Sequence, residues 1–299
     1  LDSERRYWAL LHRGWCRTCP DVGALSAAAD DLLQAAALRP RYGTARLLLA
    51  SLRCLEARTA EDLAAPVAMV REVLASADPW LHVLTARVLL ALAEGGVAQD
   101  GPVAFGAEFS PIAVLPVRRA FAEAFAGLGL ELIDGVLQRD PAAFEARFHR
   151  ITALALLGRH GDALVAAREL AAAGSPTRRA AAEVQAARVH LAAGSAERSL
   201  AAIDRALALM PDDVAARRVE AMAAAHLGDV RRQLAALDAV ARRLSTMPRE
   251  PAVFPDAAVM LPEVQLERAR ARFALGRVEE AIELVRNGDF GGVLAGAGS

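Results

Sequence analysis

The residues with most chemical potential lie near the start of the chain. Cys16 and Cys19 bracket Arg17 and Thr18, the C-x-x-C spacing of dithiol redox chemistry, with Trp15 before and Pro20 after. That chemistry needs a depressed thiol pKa, which a helix N-terminus supplies. Here the helical pattern runs over residues 3–17, so the pair falls at the C-terminal end of a helix. The dipole there opposes a thiolate. A zinc site needs four ligands; His12 stands one turn before Cys16, but no fourth ligand is evident. With Cys54 as the third cysteine, there is no disulfide framework. The six histidines, His12, His82, His149, His160, His190 and His226, show no ligand spacing. The expectation is ordinary thiols, no metal, no cofactor and no catalysis, with a thiol-based enzyme using Cys16 and Cys19 as the alternative.

A compositional absence excludes more than any motif. All 35 basic residues are Arg, and Lys does not occur. A phosphate-binding P-loop, a pyridoxal-phosphate Schiff base and a protein-kinase site each need a Lys, so this chain builds none of them. No Gly-x-Ser-x-Gly, His-Glu-x-x-His or dinucleotide-binding glycine fingerprint is present. The formal net charge is −1, which gives no reason to expect a nucleic-acid partner or an anionic membrane. Mean hydropathy is +0.25, yet apolar runs are broken by charge, as at Arg118, Arg119, Glu123 and Glu131. No membrane span is expected.

The elements that carry these residues are helices. Hydrophobic residues make up 55% of the chain and aromatics only 5%, with Ala and Leu dominant. Ala costs little helix entropy and lets helices approach closely. No alternating β-branched pattern is found. Residues 180–193 and 196–210 read as two helices broken by Gly194 and stopped by Pro211. Leu200, Ile203, Leu207 and Met210 recur at helical spacing on one face. Gly228 follows Gly194 by 34 residues, Gly158 precedes it by 36, and Gly276 opens a fourth turn.

Earlier in the chain the rhythm is looser. Residues 26–38 read as a helix with Ser26 as its N-cap and Pro40 as its stop. Residues 42–57 and 61–77 read as a pair, and residues 80–94 as a further first helix. Residues 116–138 read as a helix bent at Gly127 and Gly129. Two segments break the pattern: residues 95–115, and residues 246–262 with Pro248, Pro251, Pro255 and Pro262. The prolines argue against a continuous helix across the second. The acid pairs Asp30-Asp31 and Asp212-Asp213 read as flanking helix ends, the second suiting a helix N-terminus.

A helix, a glycine turn, a second helix and a closing proline resemble the tetratricopeptide repeat, whose unit is 34 residues. Five residues after each turn glycine the family keeps a small side chain, here Ala163, Ser199 and Ala281; its later alanine falls on Ala206 and its closing prolines on Pro176 and Pro211. The resemblance implies an all-α, right-handed solenoid of antiparallel helix pairs with about seven irregular repeats. It divides into a degenerate part at 1–141, with an insertion near 95–115, a more regular part at 142–287, with a Pro-rich insertion near 246–262, and a flexible tail at 288–299. A first-helix position that is usually aromatic holds Glu183 and Arg217 instead.

By the same resemblance, first helices line a concave binding face. Carried over by register, that face includes Phe148 and Thr152, then Val184, Arg188 and Leu191, then Arg218 and Met222, then Leu266, Arg270 and Phe273. An apolar surface with three arginines suits a protein or peptide segment with apolar anchors and a carboxylate, which Arg grips bidentately. The family groove that binds chaperone tails relies on Lys and Asn; here Lys is absent and the one Asn is Asn287, so that ligand class is not expected. The resulting expectation is a non-catalytic protein-interaction scaffold, with a regulatory or sensor segment of a larger signalling protein as the alternative. Self-association is left open. The expected compartment is the cytoplasm, with an exported location also open because the chain starts at Leu1 and not at Met.

Overall fold

A computed structural model describes residues 3–17, 25–40, 42–57, 61–75, 82–83, 85–87, 89–90, 93, 119–172, 174–246 and 255–287. Every extended element among them is an α-helix. The helices are α1 (Ser3–Arg17), α2 (Leu25–Leu38), α3 (Gly43–Glu56), α4 (Ala64–Ala75), α5 (Arg119–Arg139) and α6 (Phe144–Leu156), then α7 (His160–Ala172), α8 (Pro176–Ala192), α9 (Ala196–Leu209), α10 (Val214–His226), α11 (Val230–Ser245), α12 (Pro255–Ala274) and α13 (Val278–Asn287). The described residues fall into two compact units, the first ending at Leu157 and the second starting at Gly158. The thiols of Cys16 and Cys19 and the segment 95–115 lie outside the described part of the structure, as does the tail after 287.

In the first unit α1, α2, α3 and α4 pack each on the next, and α5 packs on α6. Tyr7, Leu32 and Leu52 are fully buried in a shared core with Ala28, Ala35 and Ala45. Burial raises the Tyr7 hydroxyl pKa. Helix α2 starts at Leu25, so Ser26 lies within its first turn and not before it. Asp31 is interior to the same helix and not at its end. It is 2% exposed and accepts a hydrogen bond from Arg13 Nε at 2.8 Å. Helix α5 is uninterrupted through Gly127 and Gly129. At Gly129 the reason for glycine is space: a Cβ there would lie 3.2 Å from Leu90 Cδ2.

In the second unit each helix from α7 to α13 packs on its successor, and α8 also packs on α10. The pairs turn on glycine. Gly158, Gly194, Gly228 and Gly276 have φ of +71°, +73°, +71° and +76°, and no other described residue has positive φ. At the last three the N–H three places past the helix bonds back five residues: Ser195 to His190 O at 2.8 Å, Asp229 to Ala224 O at 2.9 Å and Arg277 to Arg272 O at 2.9 Å. This is the Schellman arrangement, which needs a left-handed residue at the corner. A Cβ on Gly194 would meet nothing within 4 Å, so only the backbone resists substitution. Gly194→Ala should therefore cost about 1–2 kcal/mol in urea unfolding. An unchanged midpoint would show that the corner is not held left-handed.

Helix starts follow local chemistry. Asp213 accepts from Ala216 N at 2.9 Å and Asp229 from Arg232 N at 3.0 Å, as N-caps do. Helix α8 starts at Pro176 behind a Ser175 cap, earlier than the expected residue 180; proline fits a first helical position, where its missing N–H has no partner to lose. Arg147 Nε donates to Pro141 O at 2.7 Å and, in the other unit, Arg217 donates to Pro211 O at 3.3 Å, so an Arg six residues on ties each proline turn.

Of the expected Pro-rich insertion at 246–262, residues 247–254 lie outside the described residues, and the part from Pro255 is helical. Helix α12 runs from Pro255 through Pro262 to Ala274. Pro255 takes the tolerated first position, and Pro262 costs the single hydrogen bond that its N–H would have made to the Ala258 carbonyl. Beyond it, Val264 is 1% and Ala269 4% exposed, and their burial holds the helix on α11.

Candidate interaction surface

The two first-helix positions where an aromatic was expected hold ion pairs. Glu183 of α8 accepts from Arg205 of α9 at 2.8 Å, and that hydrogen bond raises the Arg205 pKa. Glu220, buried at 6% exposure, accepts from Arg217 at 2.8 Å and from Arg232 of α11 at 2.9 Å. Arg232 also pairs with Asp204 of α9. Burial alone would lower the Arg232 pKa, but the two carboxylates raise it. These charges clip neighbouring helices together and are not arranged for proton transfer. Among the described residues no three His, Cys, Asp or Glu side chains gather as metal ligands would.

The residues assigned to the binding face separate into four groups. Phe148 and Thr152 lie on α6 in the first unit, Phe148 half-buried and Thr152 buried. Val184, Arg188 and Leu191 lie on α8 in the second unit and are 4%, 7% and 5% exposed, so they are packed and not presented to solvent. Arg218 and Met222 on α10 are half-buried. Only on α12 does the set open: Leu266 is half-buried, Arg270 exposed, and Phe273 66% exposed.

There the three join a depression of about 540 Å³ between α12 and α13. Ala269, Ala281, Ile282, Val285 and Arg286 complete its lining. Sequence reading missed Ile282, Val285 and Arg286. Their helical spacing is visible in the sequence, but it is the spacing of an ordinary core face. Ile282 and Val285 are each 46% exposed. Arg270 and Arg286 make no ion pair among the described residues. The arrangement is an apolar floor with two guanidinium groups at its edge, suited to burying aliphatic side chains beside a carboxylate.

Known proteins give the following comparisons. No family model matches the chain, and no curated protein matches it. Solved structures do resemble it. A thermophilic TPR protein of Thermus thermophilus is 18% identical, with 56% of this chain and 82% of that one covered at a TM-score of 0.41. A tetratricopeptide repeat protein from Parabacteroides merdae is 14% identical, with 94% and 91% covered at 0.48. A chain of an APC/C hetero-tetramer is 15% identical, with 88% of this chain and 49% of that one covered at 0.45. Within the second unit, paired helices meet at left-handed glycine corners, and one first helix packs on the next. The described part of that unit is an all-α helical repeat of consecutive helix pairs. Five residues after the corner glycines, Ala163 and Ser199 are 0% and Ala281 6% exposed, whereas Gln233 is larger and half-buried. Among the described residues no helix is long and apolar enough to cross a membrane.

Proposed function

We propose that this TPR-like chain is a non-catalytic scaffold that holds a segment of a partner protein on first-helix residues of its second unit. The observation that carries the reading is the exposed set on α12, where Phe273, Leu266 and Arg270 share one apolar depression with α13. A side chain as large as Phe left 66% exposed beside other apolar groups is what a protein-binding surface offers. The buried Thr152, Val184, Arg188 and Leu191 act in packing, and the partner is held by Leu266, Arg270 and Phe273, with Arg218 and Met222 as further candidates. Apolar anchors and a carboxylate are the matching chemistry.

The full-length chain on a resin, beside its Phe273→Asp variant, tests this. Exposed Phe273 can be changed without loss of fold, which circular dichroism checks. At least one host protein should be retained by the parent and reduced about tenfold by the variant, a loss near 1.4 kcal/mol. Identical retention on both resins would remove α12 from the binding surface.

A further inference from the structure

The chain contains its own reference for the outer face of α12 and α13. Counted from the corner glycine, the sixth and ninth residues of successive second helices are Leu200 and Ile203, Leu234 and Leu237, then Ile282 and Val285. The first four are 9%, 0%, 6% and 1% exposed, and the last two 46% each. Ile203 shares a core with Ala216 and Val219 of α10, and Leu237 shares one with Val264 of α12. The face that earlier pairs bury under the next first helix has no described helix over it on the last pair.

The tenth residue changes sign. It is Asp204 in α9 and Asp238 in α11, and each pairs with arginines of the following pair: Asp204 with Arg232, Asp238 with Arg268 and Arg272. In α13 the same place holds Arg286, joined at the edge of the depression by Arg270. A helix of this chain's own kind would set arginine against arginine there, and a two-fold pairing of two copies would set the four arginines near one another. Like charges brought together in a desolvated contact are unfavourable.

Resting on the scaffold reading, we propose that this face docks one amphipathic helix of a different protein, seated where a next first helix would lie. It carries aliphatic residues at i, i+3 and i+7 and Asp or Glu beside that stripe, so that the apolar side covers Ile282, Val285 and Phe273 while the carboxylates meet Arg286 and Arg270.

The test is fluorescence anisotropy with the full chain and two synthetic helices. Both are eighteen-residue peptides with Leu at i, i+3 and i+7; one has Glu on the flanking positions and the other Arg. The Glu peptide should bind at least tenfold tighter than the Arg peptide, and 0.5 M NaCl should shrink that ratio. Val285→Glu should weaken the Glu peptide at least tenfold, and Arg270→Glu with Arg286→Glu should invert the preference. Equal binding of both peptides, or no response to Val285→Glu, overturns the proposal. So does a self-associated species in sedimentation velocity that Val285→Glu dissolves, because the occupant is then a second copy. Deletion of 288–299 that raises Glu-peptide affinity tenfold makes that segment the occupant and overturns the proposal as well. If the peptides fail while Phe273-dependent capture of a host protein persists, the acidic helix is wrong and the scaffold stands; if both fail, the scaffold falls too.

Discussion

Replacing Ile203 with Ala should lower the unfolding free energy by about 3 kcal/mol, within the usual range for truncating a buried aliphatic side chain. Ile203 is fully buried where α8, α9 and α10 meet, among Val184, Ala187, Ala216 and Val219. Its neighbours are mostly alanines, which have no side chain long enough to swing into the space left behind. The cavity would persist, so collapse of the site recovers little of the cost. In a helical array most stability lies in contacts between neighbouring pairs, so the loss falls on the junction of α9 with α10. Val285 supplies the control. It occupies the same place in the pair as Ile203 but is 46% exposed, so Val285→Ala should change stability by no more than about 0.5 kcal/mol. Urea titration followed by circular dichroism measures both. A loss at Val285 equal to that at Ile203 would mean that the outer face of α13 is already covered in the free protein.

The corners were legible in the sequence because each demands a left-handed residue and glycine is the residue that supplies it. Gly158, Gly194, Gly228 and Gly276 carried the register together with the helical period and the small residues that follow three of them, and all four have positive φ. Proline was a poorer guide. Pro255 starts a helix and Pro262 lies inside it, because a single lost hydrogen bond is outweighed when the helix buries Val264 and Ala269. Pro176 shows the same ambiguity: read as the end of one repeat, it is also the first residue of α8. The Arg13–Asp31 pair was not legible, since it joins helices that only the fold brings together.

The binding face was legible as a register but not as a surface. Val184, Arg188 and Leu191 sit on a first helix, as expected, yet all three are buried. The cause lies in the alanines. Ala180, Ala187 and Ala216 let α8 and α10 come close enough to enclose side chains that larger neighbours would have left in an open groove. On the last pair the reverse holds. Periodicity marks Ile282 and Val285 as core, but whether a core face is covered depends on the next element, and a helix's own sequence does not encode that.

Acid should destabilise the first unit through one histidine. His149 on α6 has its pKa lowered from 6.5 to about 4, first by burial, which penalises the charged ring, and then by the positive charge of Arg87. The ring is neutral in the folded chain at pH 7. Below pH 6.5 the unfolded chain takes up a proton at this position and the folded chain does not, so the unfolded state binds more protons. Stability therefore falls as pH drops from about 6.5 to 4, and the loss levels off once the folded ring protonates too. Partial exposure and solvent screening reduce the full linkage, leaving about 2 kcal/mol. His190 on α8 is also shifted down, first by burial, and adds a slope of the same sign in the second unit. The comparison must therefore be made at a single site. His149→Gln keeps a polar side chain of similar reach but no titration in this range. Urea midpoints taken every half pH unit should show the parent losing about 2 kcal/mol more than the variant between pH 6.5 and 4. Parallel curves for the two proteins would mean that His149 is hydrated and titrates as it would in an unfolded chain. A parent that gains stability on acidification relative to the variant would mean that a carboxylate, and not Arg87, is its nearest charge.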